Sequence, residues 1–200
     1  MAGKLFGTDG VRGVANFYPM TADFATKLGM ACGAELCQVY RKVAIARDTR
    51  ISGEMLQSAL AAGFLSAGVD VVLLGVLPTP ALTSVTADLD VDMSVMITAS
   101  HNPYYDNGIK LITSNGDKFD DDTTSKLEAL VAENKFDLSS EKLGRIIYNN
   151  EALVMYLEKA KSFISSSKPL AGTRIVLDCA NGSFSGIMPQ VFKDLGAGVI

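Results

Sequence analysis

The sequence predicts an α/β protein. Residues 1–150 read as a three-layer α/β domain with a mixed sheet, and 151–200 as the start of a second α/β domain of the same kind, cut in its middle. Three observations carry this reading. Short apolar runs at 42–47, 69–74 and 93–98 have the continuous character of strands covered on both faces. Segments with helical spacing and capping signals alternate with them. Val199-Ile200 opens a further strand at the last residue, which cannot complete a sheet.

Taken in order, residues 21–40 read as a helix with Thr21 at its N-cap and Phe24, Leu28 and Ala31 on one face. The strand at 42–47 follows. Ser52 is placed as the cap of a helix over 53–67, with Gly68 suited to the position after it. The glycine-bounded run 69–74 is a strand. Thr79-Pro80 fits an N-cap followed by proline at the first helical position. The run 93–98 is a strand, and 109–113 is another after an Asp106-Asn107-Gly108 turn. Asp120 to Asp122 open a helix carrying Leu127, Leu130 and Val131, where acidic residues suit the helix dipole. After a polar, irregular stretch, Asn150 begins an amphipathic helix with Leu153, Leu157, Ala160 and Ile164 on its apolar side. Ser165 to Pro169 read as a linker, 173–177 as a strand, Asp178-Cys179-Ala180-Asn181-Gly182 as a strand-ending loop, and Pro189 as the first turn of a helix ending near Gly196.

Composition narrows the function. With 48% hydrophobic residues and a net charge of −4, the chain has the balance of a globular protein. It carries no basic stripe for nucleic acid, and its apolar runs are too short to span a bilayer. The N-terminus lacks the apolar core of a signal peptide, and Cys32, Cys37 and Cys179 show no CxxC spacing. The expectation is a cytoplasmic protein with reduced cysteines. One histidine and no paired ligand motif speak against zinc.

The most informative segment is Thr98-Ala99-Ser100-His101-Asn102-Pro103, followed by Asp106-Asn107-Gly108-Ile109-Lys110. A buried strand feeds a polar loop there, the usual setting for ligand chemistry in α/β folds. A hydroxyl, an imidazole, an amide and an ammonium are suitable parts for phosphoryl transfer, which depends on positioning and charge stabilisation. The plainer reading is a loop in which Ser100 and Asn102 bond only local backbone. A Ser–His hydrolase is the rival catalytic reading. Against it, neighbouring side chains on an extended backbone point apart, and no GxSxG elbow occurs.

Two more segments are candidates. In Phe6-Gly7-Thr8-Asp9-Gly10-Val11-Arg12-Gly13, glycines let the backbone bend near a ligand and Arg12 suits bidentate phosphate contact; the alternative is a glycine-rich turn with a surface arginine. In Arg47-Asp48-Thr49-Arg50-Ile51-Ser52-Gly53, arginines beside a helix start attract anions; the alternative is an Arg–Asp pair that orders the loop. Neither GxGxxG nor GxxxxGK[ST] occurs.

Together these segments resemble the α-D-phosphohexomutase superfamily, with a match running from Leu5 to the chain end. The Thr98-to-Pro103 loop is its most specific element. Arg47 to Gly53, Leu77-Pro78-Thr79-Pro80 and Asp178 to Gly182 agree as well. The 6–13 and 104–110 segments look like members that act on glucosamine phosphates.

The resemblance implies Ser100 carried as phosphoserine, with Arg12 and Lys110 in acid–base and charge-stabilising roles. His101 would support the loop or the proton transfers, and Thr8, Asp9, Asn102 and Arg47 would support the substrate and phosphate loops. It implies Mg2+ bound through the phosphate on Ser100, with glucosamine phosphates and glucosamine 1,6-bisphosphate as ligands. The family's Asp-x-Asp-x-Asp metal loop and its later sugar- and phosphate-binding segments would lie beyond residue 200, so these 200 residues alone are expected to be inactive. Phosphomannose or phosphoglucose as substrate, and a non-catalytic sugar-phosphate-binding module, are the alternatives. A homodimer is an assembly the resemblance leaves open.

Overall fold

A computed structural model of the chain describes residues 5–7, 10–136 and 138–200. Its elements are β1 (Val11–Val14), α1 (Ala22–Leu36), β2 (Lys42–Arg47), α2 (Ser52–Ser66), β3 (Asp70–Val76), α3 (Thr79–Thr86), β4 (Met93–Ile97), β5 (Asp106–Thr113), α4 (Asp121–Glu133), β6 (Ile146–Tyr148), α5 (Ala152–Ser162), β7 (Arg174–Ile175), α6 (Met188–Asp194) and β8 (Gly198–Val199). The main sheet has six strands in the order β1-β5-β4-β2-β3-β6. The four strands β4, β2, β3 and β6 are parallel; at one side β5 pairs antiparallel with β4, and β1 pairs antiparallel with β5. The sheet is therefore mixed, as expected.

Alternation along the strands sends side chains to two cores. Val43 and Ile45 of β2 join Phe24, Leu28, Leu60, Phe64 and Leu127 under α1, α2 and α4. Ala44 and Ala46 join Leu82, Val85 and Ala152 under α3 and α5. These faces make the three layers. Helices α1 and α2 touch at glycines. A Cβ on Gly63 would stand 2.2 Å from the Thr26 carbonyl oxygen, and one on Gly29 2.5 Å from that of Leu60. β7 and β8 form a separate parallel pair next to α6. Among the described residues, no helix is long and apolar enough to cross a membrane.

Several expectations are corrected. α1 stops at Leu36, short of Tyr40. The Asp92 carboxylate takes the N–H groups of Val39, Tyr40 and Lys42 and draws the chain into β2. Ser52 lies inside the first turn of α2, whose N-cap is Ile51, and its Oγ accepts from Asn107 Nδ2 at 2.8 Å. Thr79 is helical, with Pro78 at the N-cap. The Asp106-Asn107-Gly108 turn is strand, because β1 pairs with it: Gly13 faces Asn107 and Arg12 faces Gly108. Gly108 is required there by close packing, since a Cβ would lie 2.7 Å from the Thr98 carbonyl oxygen and 2.9 Å from that of Val11.

β6 forms within the stretch read as irregular. Val71 donates to the Arg145 carbonyl and Arg145 N to Asp70 Oδ1, both at 2.8 Å, and set its register against β3. In α5 the packed residues are Ala152, Leu153, Met155 and Tyr156, while Ala160 and Ile164 are exposed. The helix meets α3 through its first turns, so the apolar stripe drawn from spacing alone runs off the contact. β7 is confined to Arg174–Ile175.

Candidate active site

The parallel strand β4 ends against the start of the antiparallel β5, and Thr98 N donates to the Gly108 carbonyl at 2.9 Å to close the hairpin. The loop between them carries Ser100. Buried residues lead up to Ala99, and Ser100 and His101 are exposed. Ser100 has φ +58°, a left-handed conformation that side chains seldom adopt. Ser100 N donates to Thr98 Oγ1 at 3.0 Å, and Asn102 N to the Ala99 carbonyl at 3.1 Å. This backbone also changes the Ser–His geometry. It is not extended, and it brings Ser100 Oγ to 3.4 Å from His101 Nδ1. That contact is long for a hydrogen bond to a hydroxyl.

The loop is held from inside by Arg50. Its Nε donates to Asp48 Oδ2 at 3.0 Å. Its two terminal nitrogens donate to the carbonyl oxygens of Ser100, Asn102, Pro103 and Asp106 at 3.0, 2.9, 2.5 and 3.0 Å. Asp48 also accepts from Arg50 N at 3.0 Å and from Thr98 Oγ1 at 2.6 Å. Asn102 Nδ2 donates to Asp106 Oδ2 at 2.9 Å and bridges the two sides of the loop. Arg47 lies elsewhere: it pairs with Glu54 on α2 at 2.8 Å and donates to the Asp48 carbonyl at 3.3 Å. Of the two readings of the 47–53 segment, the loop-ordering Arg–Asp pair is present, between Asp48 and Arg50. The i, i+2 spacing after a strand end is the signal for it, but spacing alone does not choose between the two arginines.

Register places the cationic candidates. Arg12 faces Gly108 across the β1–β5 ladder, and Lys110 lies two residues further along β5. Cross-strand partners share a face and alternate residues share a face, so Arg12 and Lys110 are diagonal neighbours on the α3 side of the sheet. Lys110 lines a cavity of about 310 Å³ with Gly7, Gly10, Thr79, Thr83 and Thr124; Ser100 and Arg12 do not line it. Gly10, at φ +99°, packs so tightly that a Cβ would meet the Ile109 carbonyl oxygen at 2.2 Å. Thr8 and Asp9, between the paired Gly7 and Gly10, lie outside the described residues.

Between β2 and α2, Thr49 Oγ1 donates to the Asn181 carbonyl at 2.8 Å, reaching the loop that follows β7. Ala180 and Asn181 both have positive φ, which turns that 178–182 loop back on itself. Among the described residues, no group of three or more His, Cys, Asp or Glu side chains has the geometry of a metal site. The carboxylates bonded into the serine loop, Asp48 and Asp106, already accept from Arg50, Thr98 and Asn102.

The family model described as phosphoglucomutase/phosphomannomutase, α/β/α domain I, matches residues 3–138. A phosphoglucosamine mutase from Cupriavidus metallidurans is 48% identical over all of this chain and 46% of its own length. One from Pseudoalteromonas translucida is 46% identical over 98% of this chain and 44% of its own. The chain thus spans about half the length of the curated relatives it matches. A crystal structure of a phosphoglucomutase/phosphomannomutase family protein from Burkholderia thailandensis superposes with a TM-score of 0.82 at 30% identity, over 98% of this chain and 43% of that one. The open form of the Paramecium phosphoglucomutase parafusin shares the fold at 16% identity and TM-score 0.67, over all of this chain and 43% of that one.

Proposed function

Because the chain belongs to the phosphoglucomutase/phosphomannomutase family, we propose that the full-length protein interconverts glucosamine 6-phosphate and glucosamine 1-phosphate through a phosphoserine at Ser100. The observation that carries this reading is the exposed Ser100 on a left-handed turn at a strand end, in a loop whose carbonyls are gathered by one largely covered arginine. Such a turn holds a hydroxyl outward at a fixed point, and strained backbone of this kind clusters at functional sites. The choice of glucosamine rests on the relatives named phosphoglucosamine mutase.

In this mechanism the Ser100 Oγ–P bond breaks as a bond forms between phosphorus and O1 of glucosamine 6-phosphate. The O1 proton passes through Lys110 to Ser100 Oγ. Arg12 offsets charge on the transferring group, since fixed cations matter most where charge develops. His101, beside Ser100 Oγ, supports the proton transfers. The resulting bisphosphate then returns its 6-phosphoryl group to Ser100 and glucosamine 1-phosphate leaves. The product would feed UDP-N-acetylglucosamine and cell-wall precursor synthesis in the cytoplasm.

Magnesium, in this reading, neutralises phosphate charge. The described residues do not form a magnesium site by themselves; the phosphoryl group on Ser100 is the oxygen donor this part of the protein supplies. Residues 1–150 are proposed as a first domain, with α5 as the joining helix packed back on α3, and 151–200 as the start of a second. The 200-residue chain alone is accordingly proposed to be inactive, and turnover by that polypeptide would overturn this point.

The test is intact mass and a phosphopeptide map of the full-length protein, purified with phosphatase inhibitors. Phosphate on Ser100 that is lost on incubation with glucosamine 6-phosphate, and absent in Ser100→Ala, supports the reading. A Ser100 that is unmodified and cannot be charged by a hexose bisphosphate overturns it. Relative rates on glucosamine, glucose and mannose phosphates decide the sugar.

A further inference from the structure

We propose that Arg50 is the positioning residue of the serine loop, setting where the Ser100 hydroxyl stands; the proposal rests on the phosphoserine reading above. A guanidinium carries five N–H donors in a rigid planar fork. Here five acceptors meet them: Asp48 Oδ2 and the carbonyls of Ser100, Asn102, Pro103 and Asp106. The carbonyls come from the outgoing and the returning side of the loop, so one flat group closes it from within. The Arg50 side chain is only 10% exposed. Its donors are all engaged by protein, so it is not available to grip a substrate phosphate. It acts through the loop.

Asp48 completes the clamp from the strand side. The same carboxylate that pairs with Arg50 accepts from Thr98 Oγ1, which in turn accepts from Ser100 N. Ser100 is thus fixed through its carbonyl by Arg50 and through its amide by the Asp48–Thr98 relay. This double hold is the visible reason that a non-glycine residue keeps φ +58° there. Lysine in place of arginine would keep the charge but has three tetrahedral donors, too few and in the wrong plane for the five acceptors.

The experiment uses the full-length protein charged with glucosamine 1,6-bisphosphate. Arg50→Lys is expected to lower kcat on the order of a hundredfold, the scale of a small misplacement of a reacting group. KM should stay within about threefold, because no ground-state contact is removed. The phosphorus-31 resonance of the phosphoserine should shift. Unchanged kcat and resonance overturn the proposal, as does a raised KM at unchanged kcat, which would make Arg50 a substrate-binding group. Lost activity with an unshifted resonance and a lowered melting point also overturns it, as a merely structural role.

Should Arg50→Lys fail to fold, Asp48→Asn decides. Reduced kcat with a shifted resonance supports the clamp, and wild-type values for both sink it. If Ser100 of the unaltered protein neither carries nor accepts phosphate, the phosphoserine reading fails and takes this inference with it. If Ser100 is charged normally but the Arg50 variant behaves as wild type, only this inference fails.

Discussion

Ser100 adopts a backbone conformation that costs an L-residue on the order of 1–2 kcal/mol, and glycine escapes most of that cost. Ser100→Gly is therefore expected to be more stable than Ser100→Ala by about 1 kcal/mol, measured by chemical denaturation. Equal stability would mean the turn relaxes without its side chain. Neither variant should carry phosphate. The residues of this turn were legible in the sequence, because Thr98 to Pro103 is a polar run after a buried strand. The Arg50 clamp was legible only as one of two readings of its segment. Which arginine turns to the loop depends on strand register: Arg47 ends β2 on the α2 side, beside Glu54 and Gly53, and Arg50 lies beyond the strand and can reach across to β4.

At the level of elements, the contact between α1 and α2 depends on bare backbone at Gly29 and Gly63. Gly63→Ala puts a methyl group against the Thr26 carbonyl and must push the helices apart. The expected loss is about 1–3 kcal/mol in chemical denaturation, outweighing alanine's better helix propensity. An unchanged midpoint would mean the crossing has slack. Asp120 caps α4, accepting from Thr123 N at 2.7 Å, and hydrogen bonding from the Thr123 side chain, followed by that from its N–H, holds the carboxyl below its usual value. Asp120→Ala should lower the melting temperature by a few degrees near neutral pH. The difference should shrink on acidification, because a lowered carboxyl pKa gives stability that is lost as pH falls through the folded value. The central strands and main helices were readable because their burial forces apolar runs or helical spacing. β1 and β6 are edge strands that need no such run. β1 passes for a glycine loop, and β6 is three exposed residues whose existence depends on pairing with β3.

For the whole molecule, two thiols link folding to alkaline pH. Burial pushes the Cys32 and Cys37 thiols up, and the charge of Asp92 adds to the effect at Cys37. An unfolded chain ionises them near about pH 8.5, whereas the folded chain keeps their protons. Stability from this source is full below that pH and declines as pH rises toward the folded values. The denaturant midpoint should be lower at pH 10 than at pH 7.5, with part of the difference abolished in Cys32→Ala. Alkylation of the native protein should label Cys179, which is partly exposed, before the other two. Equal labelling of all three would contradict this burial. The order of the sheet also constrains how the molecule can work. Because β4 and β5 are consecutive and antiparallel, Ser100 lies in the loop of the hairpin whose returning arm carries Lys110, and Thr98 N to the Gly108 carbonyl staples its base. The loop is tied from within by Arg50 through four of its carbonyls, which holds Ser100 against the strand that carries Lys110. On the proposed phosphoserine reading, a serine held by this clamped loop acts as a fixed anvil, and a hexose served at both ends would have to be the moving part.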